Sequence, residues 1–303
     1  MAFAAFGSSS QRVNNKPTRS GRVVIALLTP GLLYLGLFFL TPLFSLIMVS
    51  LEVPSDYGYA QYEPGFEIAN YGYVISQYLP HIIRSFTYAL SATVLALLIS
   101  YPLAYFIGVK ARPWPLLQKL TLTLVIAPFF ISFLLRTLAW KQIFSNESWI
   151  VTSLQNLHIL EPNQYLVGTP FMVIFGLTYN FIPFMTLPLY TSLERLDIRY
   201  LEAGSDLYAS PARVFRKITL PLSMPGIISG TLLTFIPIAG DYINASGDFL
   251  GSSETSMMGN VIESNYLQIN DYPSASAMSV LLMGVILILV SVYVRRSGTE
   301  DLL

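Results

Sequence analysis

Six stretches of this 303-residue chain stay apolar for about twenty residues or more, the length a helix needs to cross a hydrocarbon layer. They are 23–51, 82–108, 116–137, 169–192, 220–242 and 274–294. In lipid, every backbone N–H and C=O must be satisfied within its own segment, so runs of this length can only be helices. Charged residues make up 11% of the chain, against about 25% in soluble domains, which places it among integral membrane proteins. The expected fold class is an all-α membrane protein with six transmembrane helices. Pro30, Pro42, Pro128, Pro183, Pro188 and Pro237 lie within the runs and predict kinks.

Lysine and arginine sort by loop. All but Arg84, Arg136 and Lys141 fall in the N-terminal segment, the 2–3 turn, the 4–5 loop or the tail. The positive-inside rule therefore places both termini and the loop between helices 4 and 5 in the cytoplasm. The first apolar run exceeds the 7–15 residues of a signal's apolar region. Residues 1–22 read as a flexible basic cytoplasmic arm, 23–295 as the six-helix domain with its core at about 82–294, and 296–303 as a cytoplasmic tail. The opposite side carries eleven of the 17 carboxylates, among them Glu52, Glu147, Asp241, Glu263 and Asp271. Two readings stand: a solvated outer surface, or a face that meets a cation or a basic partner.

Between runs 4 and 5 lies "YLEAGSDLYASPARVFRKITLPLSMPG", residues 200–226. It reads as two short helices. Asp197 caps the first, at roughly 198–208, with Leu201, Gly204 and Tyr208 on one face. Ser210 as N-cap and Pro211 at the first helical position start the second, which ends near Pro221. A helix lying in the headgroups is one reading. Docking against another protein is the other, favoured by small Ala203 and Gly204 beside Glu202.

The same stretch resembles the "EAA" loop of binding-protein-dependent ABC importer permeases: E-A-A, three residues, G, nine residues, I-x-L-P. Glu202, Ala203, Ile218, Leu220 and Pro221 fall in register; Gly204 replaces the second alanine, and Tyr208 stands where the family usually has glycine. "APFFISFLLRTLAW" (127–140), "TPFMVIFGLTYNFIPFMTLPLYTSLERLD" (169–197) and "MMGNVIESNYLQINDYPSASAMSVLLM" (257–283) are similar to polyamine permeases of the PotB/PotH type. The resemblance implies a coupling helix in a groove of a separate ATPase subunit, touched by Glu202, Ala203, Gly204, Tyr208, Ser210 and Pro211. It further implies a second permease subunit in a heterodimer, two ATPase subunits that bind ATP and magnesium, and an external polyamine-binding protein. The substrates would be spermidine or putrescine, and the site a bacterial inner membrane. Another small organic solute is the alternative cargo.

The chain's own residues fit transport rather than catalysis. There is no G-x-x-x-x-G-K-[ST] phosphate loop, so no ATP hydrolysis and no cofactor is expected in this chain. His81 and His158 show no metal spacing, cysteine is absent, and no nucleic-acid partner is expected. An ion-coupled secondary transporter is the rival class, although no internal repeat is visible. Asp241 ends the fifth run beside Tyr242. It is either a helix-end carboxylate or the outer mouth of a path, where a carboxylate beside an aromatic face suits an alkylammonium. Glu263 extends that path, and Tyr179 and Asn180 either line it or hold helices together. Arg136 either snorkels or pairs with an outer carboxylate as a gate. The tyrosines of the first outer loop, Tyr57 to Tyr73, suit an aromatic belt or a docking surface, and Tyr78 a belt.

Overall fold

The apolar runs become helices whose bends are set by proline and whose close contacts are set by small residues. In the computed structural model, which describes residues 20–55, 61–161 and 164–296, the first run is α1, Val24–Val49. It widens into one π-helical turn at Gly36–Leu40, just before Pro42. Proline lacks an N–H and its ring crowds the carbonyl four residues back, here that of Phe38, so the preceding turn opens. None of its described side chains is buried. The chain divides into two compact units at Ile47 and Met48, and the elements that follow belong to the second.

There, a short antiparallel hairpin, β1 (Val53–Pro54) and β2 (Tyr62–Glu63), pairs Val53 with Glu63. It leads to α2, Ala69–Lys110, a helix of 42 residues. At about 1.5 Å per residue α2 is roughly twice as long as the hydrocarbon layer is thick. The apolar pattern put its start at 82 because 69–81 mixes polar with apolar residues; the helix itself begins at Ala69. Its inner side packs Val74 with Met258, Val261, Ala277 and Met278.

The third run is not one straight helix. It divides into α3 (Pro115–Phe130) and α4 (Phe133–Ile143), with axes 94° apart. Pro128 sits in a closing 3-10 turn and Ile131 is extended, which ends one helix and turns the chain before the next. A short α5, Trp149–Asn156, precedes α6, Pro170–Glu194. Then come α7 (Arg199–Asp206), α8 (Pro211–Leu222) and α9 (Met224–Ala239). α8 ends at Leu222, next to the expected Pro221, after opening into a π-helical turn at Phe215–Thr219. The 64° bend to α9 falls at Ser223, whose hydroxyl meets that of Tyr101 at 2.8 Å in a buried contact. The chain closes with α10 (Met258–Ser264) and α11 (Tyr272–Arg296). Among the described residues, four helices are long and apolar enough to span a membrane, and six if each bent pair counts as one span.

The core lies among α2, α6 and α9. One cluster joins Ala89 and Ala92 to Val173, Leu177, Phe181 and Ile238. A second joins Ala96 and Ala104 to Met185, Leu189, Leu193 and Ile227. Gly226 and Gly230 let the α9 backbone ride on α6: a Cβ at Gly226 would stand 2.8 Å from the Pro188 carbonyl oxygen, and one at Gly230 3.1 Å from that of Met185. Lipid tails are as apolar as leucine, so such close backbone packing supplies the association that water would otherwise drive. The arm expected at 1–22 lies outside the described residues up to residue 19, and of the tail expected at 296–303 only Arg296 is described.

Candidate functional site

Two groups of the singled-out residues sit at opposite ends of α6. At its C-terminal end, Arg112 gathers the chain. Its guanidinium donates to the Gly108 carbonyl at 2.6 Å, to that of Leu193 at 2.8 Å, and to that of Glu194. A cation thus closes the last turns of α2 and α6 together, where the helix dipoles favour positive charge. From this anchor the chain enters α7. The Asp197 carboxylate accepts the Arg199 N–H at 3.0 Å, one residue ahead of the helix cap.

Gly204 faces inward, not outward. A Cβ there would meet Ile218 Cδ1 at 2.9 Å and Val214 Cγ2 at 3.1 Å, so the missing side chain is what lets α7 lie on α8. Glu202, Ala203, Ser210 and Pro211 are exposed. Ser210 occupies the N-cap of α8 but its hydroxyl makes no capping bond. Tyr208 does not share a face with Leu201 and Gly204, because it lies beyond the end of α7 at φ +55°. Its N–H donates to the Ser205 carbonyl at 2.9 Å, and the Ala209 N–H to that of Gly204 at 3.2 Å. These are the two bonds of a Schellman closure, whose left-handed position glycine normally fills. The tight turn is therefore kept despite the tyrosine. Leu207 and Tyr208 project from it, 81% and 98% exposed. A cleft of about 600 Å³ opens between the C-terminal end of α6 and the starts of α7 and α9, among Ser192, Arg195, Tyr200, Pro225 and Gly226.

At the other end of α6, Asp241 is 8% exposed and follows α9. One carboxylate oxygen accepts the Asn244 N–H at 2.8 Å, the other its side-chain amide at 3.0 Å. Asn244 Oδ1 in turn accepts from Asn180 Nδ2 at 3.1 Å, and the same amide reaches Thr137 Oγ1 on α4 at 3.2 Å. A buried polar chain thus joins the turn after α9, α6 and α4. Asp241 is buried rather than open, and both of its oxygens accept from Asn244 in its own turn. Arg84 donates to the Ser256 carbonyl and Lys141 to that of Asp248, both at 2.8 Å, which pins the same loop to α2 and α4.

Residues 120–297 match the family described as "Binding-protein-dependent transport system inner membrane component". The chain belongs to this family. It is 34% identical over 268 residues to the spermidine/putrescine transport system permease protein PotB of Escherichia coli (strain K12), covering 87% of this chain and 94% of that one. The Haemophilus influenzae protein of the same name is 33% identical over 271 residues, covering 89% and 93%. A solved bacterial ABC transporter involved in the import of the acidic polysaccharide alginate superposes with a TM-score of 0.66, at 16% identity over 92% of this chain and 96% of that one. The MetNI methionine ABC transporter in an inward-facing conformation gives 0.53, at 18% identity over 74% and 94%. At such identities these two structures report the fold alone. As an inner membrane component, the chain is a multi-pass membrane protein.

The remaining residues divide in this inner membrane component. Tyr179 packs edge-on to Trp140 at 5.1 Å and stacks with Phe175, so it braces α4 against α6. Tyr242 is exposed, while Glu263 is half-buried on α10 and shares no hydrogen bond or ion pair with Asp241, Asn180 or Tyr179 among the described residues. Of the first-loop tyrosines, Tyr71 bonds to the Ser50 hydroxyl at 2.7 Å and Tyr62 to Asp271 at 3.4 Å. These two turn toward the chain itself, and Tyr73 stays exposed. Tyr57 and Tyr59 lie outside the described residues. Asn244, Thr137 and Arg112 were missed in the sequence. An aspartate followed three residues later by asparagine is a turn signal that points to Asn244; nothing local singles out the other two.

Proposed function

We propose that this inner membrane component is the permease subunit of an ATP-driven importer, passing spermidine or putrescine inward from an external polyamine-binding protein. The observation that carries the reading is the 34% identity to the E. coli spermidine/putrescine permease across 94% of that protein's length. Each bent pair then counts as one span, giving six, with 23–295 as the membrane domain. The loop distribution of lysine and arginine supports cytoplasmic termini and a cytoplasmic α7. The exposed surface of Glu202, Ala203, Leu207 and Tyr208 enters a groove of an ATPase subunit, and Gly204 holds it in place from behind. Two such ATPases bind ATP and magnesium, and a second, different permease completes the path. A polycation moving toward a negative interior gains about 2.3 kcal/mol per charge per 100 mV. What the protein must offset is the loss of water around each ammonium.

Purification of the tagged chain from its native membrane, followed by mass spectrometry, tests this reading. An ATPase subunit and a second permease are expected to copurify. A binding protein trapped on the complex should carry spermidine or putrescine. An ion-coupled transporter would yield the chain without an ATPase, and a different bound solute would overturn the assignment of cargo.

A further inference from the structure

Among the described residues, Arg136 is the one outer cation without an acceptor. Arg84 and Lys141 each end on backbone carbonyls at 2.8 Å. The Arg136 guanidinium makes no hydrogen bond or ion pair among the described residues, and its Nε is buried with no partner. Its only contact of note is the Phe133 ring, 5.8 Å from Cζ on the same helix. The side chain as a whole is half-buried and only Nε is enclosed; a guanidinium cannot shed its charge, so at membrane depth it calls for a counter-charge.

Among the described residues, none of the chain's carboxylates, the outer-loop acids included, forms an ion pair with Arg136. The chain's membrane-length helices hold a single carboxylate, Glu194, the last residue of α6, and that group accepts from Tyr190 at 2.6 Å. Asp241 is committed to Asn244. A second copy of this chain would bring the same deficit. A lipid phosphate is a poor fit, because the side chain folds back toward Phe133 and buries Nε instead of extending freely toward headgroups. Around Arg136, α4 presents exposed Leu134, Leu135 and Leu138. An apolar surface with one unmatched cation suits a protein helix that carries one carboxylate, joined by the fork geometry of guanidinium and carboxylate.

We infer that the α4 face bearing Arg136 docks on the second, different permease subunit, and that Arg136 pairs there with an Asp or Glu on one of its membrane helices. This rests on the proposed function for the existence of that subunit. For a cationic cargo the pairing has a further use: it removes a positive charge that would otherwise oppose passage.

A photo-crosslinking residue at Leu135, in the complex expressed with all its subunits, tests the inference. The expected adduct joins the second permease through a membrane-helix peptide holding an Asp or Glu. Arg136→Gln should then cut uptake at least tenfold, and neutralising that acid should do the same. Arg136→Glu combined with Arg at the acid's position should recover most of the loss. Adducts only with lipid, with the external receptor or with another copy of this chain would overturn the inference, as would a peptide lacking an acid or wild-type uptake by Arg136→Gln. Should the second permease be captured as expected while no polyamine is moved, the cargo assignment fails and the ion pair stands.

Discussion

At the scale of the residue, Tyr208 shows how one side chain can be held against its own preference. The left-handed conformation costs a non-glycine residue about 1 kcal/mol or more. Its φ of +55° closes α7, and its ring touches little, being 98% exposed. A bulky aromatic kept in that place fits a contact with another protein, since tyrosine anchors interfaces at small entropic cost. Tyr208→Gly should relieve the backbone, so the melting temperature of the solubilised chain holds or rises. Substrate-stimulated ATP hydrolysis by the assembled transporter should fall about tenfold, equivalent to about 1.4 kcal/mol of lost contact. Unchanged stimulation would mean that the ring contacts nothing in the complex. Gly204 acts differently: it is buried, and any side chain there pushes α7 off Val214 and Ile218.

At the scale of the element, the question is what holds the turn after α9. Asp241, Asn244, Asn180 and Thr137 form one buried chain, and Gly259 lets α10 close on the Asp241 carbonyl, which a Cβ would approach to 2.6 Å. Asp241→Asn would turn an amide NH₂ toward one of the two Asn244 donors. Leaving a buried donor unpaired costs about 1–3 kcal/mol. The expected result is less assembled transporter and proportionately less uptake, with the preference between spermidine and putrescine unchanged. A variant of normal stability whose preference has shifted would return Asp241 to the substrate path. The helix lengths were legible in the sequence because lipid imposes about twenty apolar residues on any span. The breaks were not. Ser223 bends the chain where Tyr101, more than a hundred residues away, supplies its partner, and Ile131 looks like any other apolar residue of its run. The polar first turns of α2 were missed for a related reason: hydropathy marks where lipid begins, not where a helix does. Asp241 stands out in the sequence as a carboxylate at a run's end, but its partners depend on tertiary packing that no local pattern records.

At the scale of the whole molecule, the proposed function makes this chain one part of a machine. Its membrane helices hold one carboxylate, its phosphate loop is missing, and an exposed turn projects from α7. On the proposed reading, a second permease supplies the missing carboxylate, and an ATPase subunit supplies the phosphate loop and the groove for the turn. On the same proposed reading, the motif of 202–221 is legible in the sequence because a groove in another subunit, not the fold that carries it, fixes its residues. The most direct test is transport by the complete complex in proteoliposomes, with labelled spermidine or putrescine, the external binding protein and ATP on the coupling-loop side. The account predicts polyamine accumulation that requires both ATP and the binding protein and continues when every ion gradient is collapsed. Uptake that persists without ATP and stops with the gradients, or no polyamine uptake by a complex that moves another solute, would contradict it.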